Sequence, residues 1–117
     1  MTTAYSFGDN SSQLGKYAWL GGNAKNTTHP VGKLQPDAWG LYDMLGNVSE
    51  WVQDWWYDEY AAEPVTDPQG PASGSDRVIR GGNWDNNARG CRLANRISGA
   101  PGRRSERVGF RLLRTAP

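Results

Sequence analysis

Cysteine and histidine are nearly absent from this chain. Cys91 and His29 occur once each in 117 residues. A lone cysteine excludes a disulfide within the chain, and one residue of each kind cannot close a structural zinc site, which takes four nitrogen or sulfur ligands. No apolar run approaches the roughly 18 residues of a transmembrane helix, so membrane insertion is not expected. Met1 to Phe7 contains no basic stretch leading into an apolar one, so no signal peptide is visible and the sequence assigns no compartment. Phosphate-loop and dinucleotide fingerprints are missing. A net charge of +1 points to no nucleic-acid partner.

Hydrophobic residues make up 37% and charged residues 21%, too apolar for a disordered tail and too polar for a membrane protein. Fifteen glycines and seven prolines favour turns, while six tryptophans can anchor a core. The length allows one domain at most, read here as a single unit over residues 1–117. Charge is distributed unevenly. Residues 1–74 hold all three lysines and nine acids, a net of −6, whereas residues 75–117 hold all ten arginines and three acids, a net of +7. Arginine forks suit carboxylates and carbonyls, so an acidic and a basic half that neutralise each other inside one fold is the expectation, with a basic ligand-facing surface as the alternative.

Residues 5–37 are mostly turn chemistry, with Gly8-Asp9-Asn10, Gly21-Gly22-Asn23 and His29-Pro30. The triplets starting at Asn10, Asn26 and Asn47 fit the glycosylation pattern but read as chance matches. Between Trp39 and Tyr57 the residues Leu41, Met44, Leu45, Val48, Trp51, Val52 and Trp55 follow helical spacing. Gly46-Asn47 breaks that run, and the residues beyond it are strand formers, so the spacing and the break together predict a short helix near 40–45 and a strand near 48–57. Residues 61–76 read as a surface loop. Further strands are predicted at Arg77–Arg80, Arg92–Arg96 and Val108–Leu113. The acidic run Asp54, Asp58 and Glu59 reads as a solvated face rather than a catalytic carboxylate pair, and His29 as a hydrogen-bonding loop residue.

Three blocks in order carry a resemblance. They are Trp-Gly-Leu-Tyr-Asp-Met-Leu-Gly-Asn-Val-Ser-Glu-Trp at 39–51, Arg-Val-Ile-Arg-Gly-Gly-Asn-Trp at 77–84, and Cys-Arg-Leu-Ala-Asn-Arg at 91–96 followed by Gly-Phe-Arg at 109–111. Together they resemble the formylglycine-generating enzyme, or sulfatase-modifying factor, family over nearly the whole chain. The resemblance implies an α+β, C-type-lectin-like fold with short strands, few helices and long ordered loops. Family members are usually about twice this length, so the chain looks like a truncated or minimal version corresponding to the carboxyl-terminal part. A half-domain of that kind can expose apolar surface, which makes a homodimer an expectation.

The family's oxidases bind copper(I) through a cysteine pair shortly after the Arg-Gly-Gly block. Here that loop holds only Cys91, so no copper is expected and Cys91 reads as a small buried apolar side chain. The resemblance also implies a structural calcium held by the side chains of Asp43 and Glu50 and the carbonyls of Gly46 and Val48; a second family calcium site upstream finds Trp19-Leu20 in place of oxygen donors. Some bacterial relatives are variable proteins of diversity-generating retroelements, whose last stretch is a mutagenised binding surface. Adenine-specific mutation of Asn codons would leave residues such as those at Gly90, Ile97, Ser98, Gly99, Ala100, Gly102, Arg103 and Ser105, with Asn86, Asn87 and Asn95 retained; Glu106 does not fit such a codon.

These features lead to a non-catalytic ligand-binding module that contacts a protein or small molecule through Trp84, Asp85, Asn86, Arg89, Asn95, Ile97, Ser98, Arg103 and Ser105. The alternatives are an oxidoreductase of the family, copper- or iron-dependent, and a half-domain that acts only with a further partner. The Arg-Gly-Gly corner, Trp51, Phe110 and Arg111 are expected to be framework, and Ile97, Ser98, Gly99, Arg103 and Ser105 surface.

Overall fold

The computed structural model describes residues 3–56 and 73–112. Among the described residues four short strands form one sheet: β1 (Ser49–Trp55), β2 (Arg77–Arg80), β3 (Arg96–Gly99) and β4 (Val108–Gly109), in the order β3-β2-β1-β4. β2 runs antiparallel to both of its neighbours, and β4 pairs parallel to β1. Trp51 stands opposite Ile79 and Ile79 opposite Ile97, so a tryptophan and two isoleucines share one face of the sheet. Between Trp51 and Trp55 the register slips through a bulge.

Helix is limited, among the described residues, to two 3-10 segments at Ser11–Lys16 and Ala88–Cys91. Asn10 caps the first, its side-chain oxygen accepting from the Ser12 amide, and Asn87 caps the second through the Gly90 amide. No helix of the described residues is long and apolar enough to cross a membrane. The core lies off the sheet, where Leu14, Ala18, Leu45 and Cys91 pack with Tyr5. Tyr5, Phe7 and Tyr17 stack in a row, and the Tyr5 hydroxyl donates to the Ala88 carbonyl 3.1 Å away.

Several expectations are corrected. The helix near 40–45 does not form, because Gly40, Asp43, Gly46 and Asn47 all adopt positive φ and no helical run can contain them. Those turns aim the chain into β1, which does form where the strand was expected. Gly46 is obligatory at this corner: its φ is +75°, and a Cβ would sit 2.4 Å from the Trp19 carbonyl oxygen. The strand expected at Arg92–Arg96 begins at its last residue, since the Asn95 amide closes a turn onto the Arg92 carbonyl. Only Val108–Gly109 of the predicted last strand pairs. Phe110 is not framework, being 75% exposed. Gly99 is not surface; it is buried on β3 against Ile79 and Trp51. Asn47, whose triplet reads as a chance glycosylation match, is buried, and its side chain accepts from the His29 amide and donates to the His29 carbonyl. The loop expected at 61–76 lies outside the described residues up to residue 72, as do Tyr57, Asp58, Glu59 and Leu113.

Candidate functional site

Two regions gather the residues singled out from the sequence. The first joins the loop after β2 to the loop before β4. Trp84 is only 8% exposed, and its indole N–H donates to the Glu106 carbonyl at 3.1 Å. Arg107 stacks over the Trp84 ring at 4.9 Å and its Nε donates to Asp85 Oδ2 at 3.2 Å, while its amide donates to the Ser105 hydroxyl. Trp84 is therefore a post beneath the surface rather than a contact on it, and Asp85 and Ser105 are drawn to one patch by Arg107. Nothing in the spacing marked Arg107, because its role depends on two loops meeting.

The asparagines hold backbone. Asn86 accepts from the Asn83 amide through its side chain and from the Gly21 amide through its carbonyl. Asn87 caps the second 3-10 segment, and Asn95 donates to the Gly90 carbonyl at 3.1 Å. Arg89 and Arg103 are exposed and make no side-chain hydrogen bond or ion pair among the described residues. Ile97 and Ser98 lie on β3, the edge strand, with Arg103 in the turn that follows.

The second region is the corner that leads into β1. A cleft of about 460 Å³ is lined by Asp43, Gly46, Val48 and Glu50, together with Val31, Leu41, Tyr42, Phe110 and Arg111. The four residues of the implied calcium site thus all line this cleft. Glu50 is held by Arg111, whose Nε and Nη2 donate to its two carboxylate oxygens at 2.7 and 3.1 Å. The same guanidinium donates to the carbonyls of Tyr42 and Asp43, both at 2.9 Å. The hydrogen bond to Glu50 is the main reason the guanidinium holds its proton more firmly than usual; burial opposes this, and the charges of Glu50, Asp43 and Asp37 add to it. Asp43 is buried. Its Oδ2 accepts from the Gly32 amide at 2.8 Å, while Oδ1 has no hydrogen-bond partner. An orphaned buried carboxylate oxygen beside turn carbonyls fits a hard cation, and a carboxylate has acceptor capacity enough for Glu50 to serve both Arg111 and an ion. No cluster of three or more His, Cys, Asp or Glu ligands occurs among the described residues, so carbonyls would have to complete such a site.

Cys91 lies beneath the Arg-Gly-Gly corner, fully buried, and burial pushes its thiol up to about 11. That is the reverse of what a metal-binding or nucleophilic thiolate requires.

Residues 3–116 match the sulfatase-modifying factor enzyme 1-like domain. The chain belongs to the sulfatase-modifying factor family. Over 87 residues it is 39% identical to the formylglycine-generating enzyme of Mus musculus, a match covering 72% of this chain and 23% of that enzyme. It is 46% identical over 87 residues to the serine/threonine-protein kinase pkn1 of Chlamydia pneumoniae, covering 72% of this chain and 14% of that protein. Among solved structures it is similar to Treponema denticola variable protein 1, with a TM-score of 0.87 and 40% identity over 94% of this chain and 40% of that one. The chain therefore spans less than half the length of the relatives it matches. Its fold is the α+β, C-type-lectin-like one implied by its three sequence blocks.

Proposed function

We propose that this chain is a non-catalytic ligand-binding module whose contact surface is formed by loops 83–90 and 97–107. The observation that supports this most is the division of labour in those loops. Asn86, Asn87 and Asn95 tie down backbone, whereas Asp85, Arg89 and Arg103 are exposed. Loops held by a fixed frame and free at their tips can vary in side chain without loss of the fold. Similarity to a variable protein at 40% identity supports the same reading, with diversification by a retroelement as its stronger form. A structural calcium at Asp43, Gly46, Val48 and Glu50 belongs to this proposal, supported by the unpartnered Asp43 Oδ1.

The oxidase reading is disfavoured by Cys91, a buried, protonated thiol with no second cysteine in this chain. Two measurements test the proposal. A cysteine-containing sulfatase peptide, incubated with the protein, copper(I) and oxygen, should show no conversion to the aldehyde by mass spectrometry. Peptide and glycan arrays should give signals that an Asp85→Lys, Arg103→Glu double variant loses. Aldehyde formation, or arrays on which the variant binds as the parent does, would overturn it.

A further inference from the structure

β3 is an edge strand. It pairs with β2 on one side, and among the described residues no strand pairs with its other side. In an antiparallel pair successive residues turn their N–H and C=O alternately toward the partner strand and away from it. One of the adjacent residues Ile97 and Ser98 therefore presents both groups at the outer edge. Apart from the ladder to β2, Ile97, Ser98 and Gly99 make no hydrogen bond among the described residues. The Ile97 side chain is 44% exposed, although it stands opposite the fully buried Ile79. Such an edge is a template for a further strand.

The charge around it selects the kind of strand. Residues 86–105 carry five arginines, Arg89, Arg92, Arg96, Arg103 and Arg104, and no acid. Arg89, Arg103 and Arg104 are exposed, and none of the three makes a side-chain hydrogen bond or ion pair among the described residues. Arg96 opens β3 and stacks over Trp56 at 4.4 Å, and Arg103 sits in the turn that follows the strand, its amide donating to the Ala100 carbonyl at 2.9 Å. Cations thus bracket the edge in the sequence. A second copy of this chain would bring the same arginines against one another, and like charges facing across paired strands are destabilising. A strand bearing carboxylates brings the opposite sign. We infer that the outer edge of β3 binds an extended acidic peptide, which joins the sheet as a further strand. Main-chain hydrogen bonds at Ile97 or Ser98 hold it, its carboxylates meet Arg103 and Arg104, and an apolar side chain packs beside Ile97. The four residues of β3 span about 13 Å at roughly 3.3 Å each, so a segment of about four to six residues fills the edge. Such pairing presupposes the binding-module function proposed above and gives its ligand a chemical class.

The test titrates the isotope-labelled full chain with an acetylated and amidated hexapeptide of alternating glutamate and valine, followed by NMR. Saturable shifts of the Ile97 and Ser98 amides are expected, with slowed solvent exchange at whichever of the two faces outward. The same peptide N-methylated at every residue keeps its charge and loses its main-chain donors, so it should bind at least tenfold more weakly. A peptide with lysine in place of glutamate should not bind. The Arg103→Glu, Arg104→Glu double variant replaces two attractions with two repulsions and should lower the affinity by about tenfold. Its melting temperature should stay within a few degrees of the parent, because both side chains are exposed, and this separates lost binding from lost folding. No shift at millimolar peptide overturns the inference, as does equal binding by the lysine peptide. Equal binding by the N-methylated peptide, or by a thymidine hexanucleotide, overturns it too, by making the edge a general polyanion surface. So does a free protein that dimerises with the same amides protected, which would place a second copy on the edge. If arrays give ligands that depend on Asp85 and Arg103 while the β3 amides stay unmoved by the hexapeptide, the strand pairing fails and the binding module stands; if both experiments are silent, both fail.

Discussion

Phe110 and Gly99 exchange the roles that local sequence suggests for them. A phenylalanine in a Gly-Phe-Arg block reads as core, and a glycine between Ser98 and Ala100 reads as a loop tip. In the fold Phe110 projects from the end of β4, whereas Gly99 is buried where a Cβ would meet Ile79 at 2.9 Å and Trp51 at 3.1 Å. Phe110→Ala should therefore change the stability of the isolated chain by about 0.5 kcal/mol or less, and Gly99→Asn should cost about 1–3 kcal/mol through overpacking. Urea unfolding of the two variants checks both; a larger loss at Phe110 than at Gly99 would reverse the assignment. Cys91 supports a second expectation at this scale. Its thiol is raised from an ordinary 9.0 to about 11 by burial, so the folded state holds the proton more tightly than the unfolded state. The stabilisation is complete below pH 9 and is lost as the pH rises through about 11, a slope worth on the order of 2–3 kcal/mol in total. Folded protein at pH 8 should resist iodoacetamide and become reactive in urea, and Cys91→Ala should flatten the alkaline limb of the stability profile.

At the scale of elements, strands were legible where their residues decide the matter locally and illegible where a distant partner decides. β2 forms at the residues expected, because the adjacent β-branched Val78 and Ile79, both buried, favour extended backbone and the following glycines end it. The helix expected near 40–45 does not form because its apolar spacing is helical while its backbone is fixed by contacts from far away: the Gly46 amide donates to the Gly81 carbonyl, the Asn47 amide to the Trp19 carbonyl, and Arg111 to the Tyr42 and Asp43 carbonyls. The four residues that the resemblance implies for calcium line one cleft, but the claim of Arg111 on Glu50 was not legible, since 61 residues separate the pair. Arg111 is thus the clamp that fastens this corner to the end of β4. Arg111→Met should destabilise the chain by about 2–3 kcal/mol, because it strands a half-buried carboxylate and leaves two carbonyls without donors. Arg111→Lys should recover little of this, because an ammonium cannot reproduce the fork that reaches both Glu50 oxygens and both carbonyls. Thermal melts of the two variants decide it; full rescue by lysine would mean that charge alone holds the corner.

At the scale of the whole molecule the uneven charge resolves into internal use of arginine. Arg77 and Arg96 stack over Trp55 and Trp56, Arg77 also donates to the Gln53 carbonyl, and Arg111 donates to the Tyr42 and Asp43 carbonyls and pairs with Glu50. The basic half thereby fastens to the acidic half through tryptophan faces and carbonyls more than through ion pairs. The buried Asp43 Oδ1 has no hydrogen-bond partner among the described residues, and the calcium expectation turns on it. An ion that binds only the folded chain stabilises it by about 2.7 kcal/mol at a hundred-fold excess over its dissociation constant. At roughly 4 °C per kcal/mol for a domain of this size, a chelator should lower the melting temperature by about 10 °C. Asp43→Asn should remove most of the difference between calcium and chelator, because it replaces the orphaned anionic oxygen with a neutral amide. Arg111→Met should keep the difference or widen it, because Glu50 is then released from its guanidinium and free to bind the ion. A chelator without effect at millimolar calcium would assign Asp43 Oδ1 to a bound water instead, and the corner would stand on its hydrogen bonds, those from Arg111 and the Gly32 amide among them.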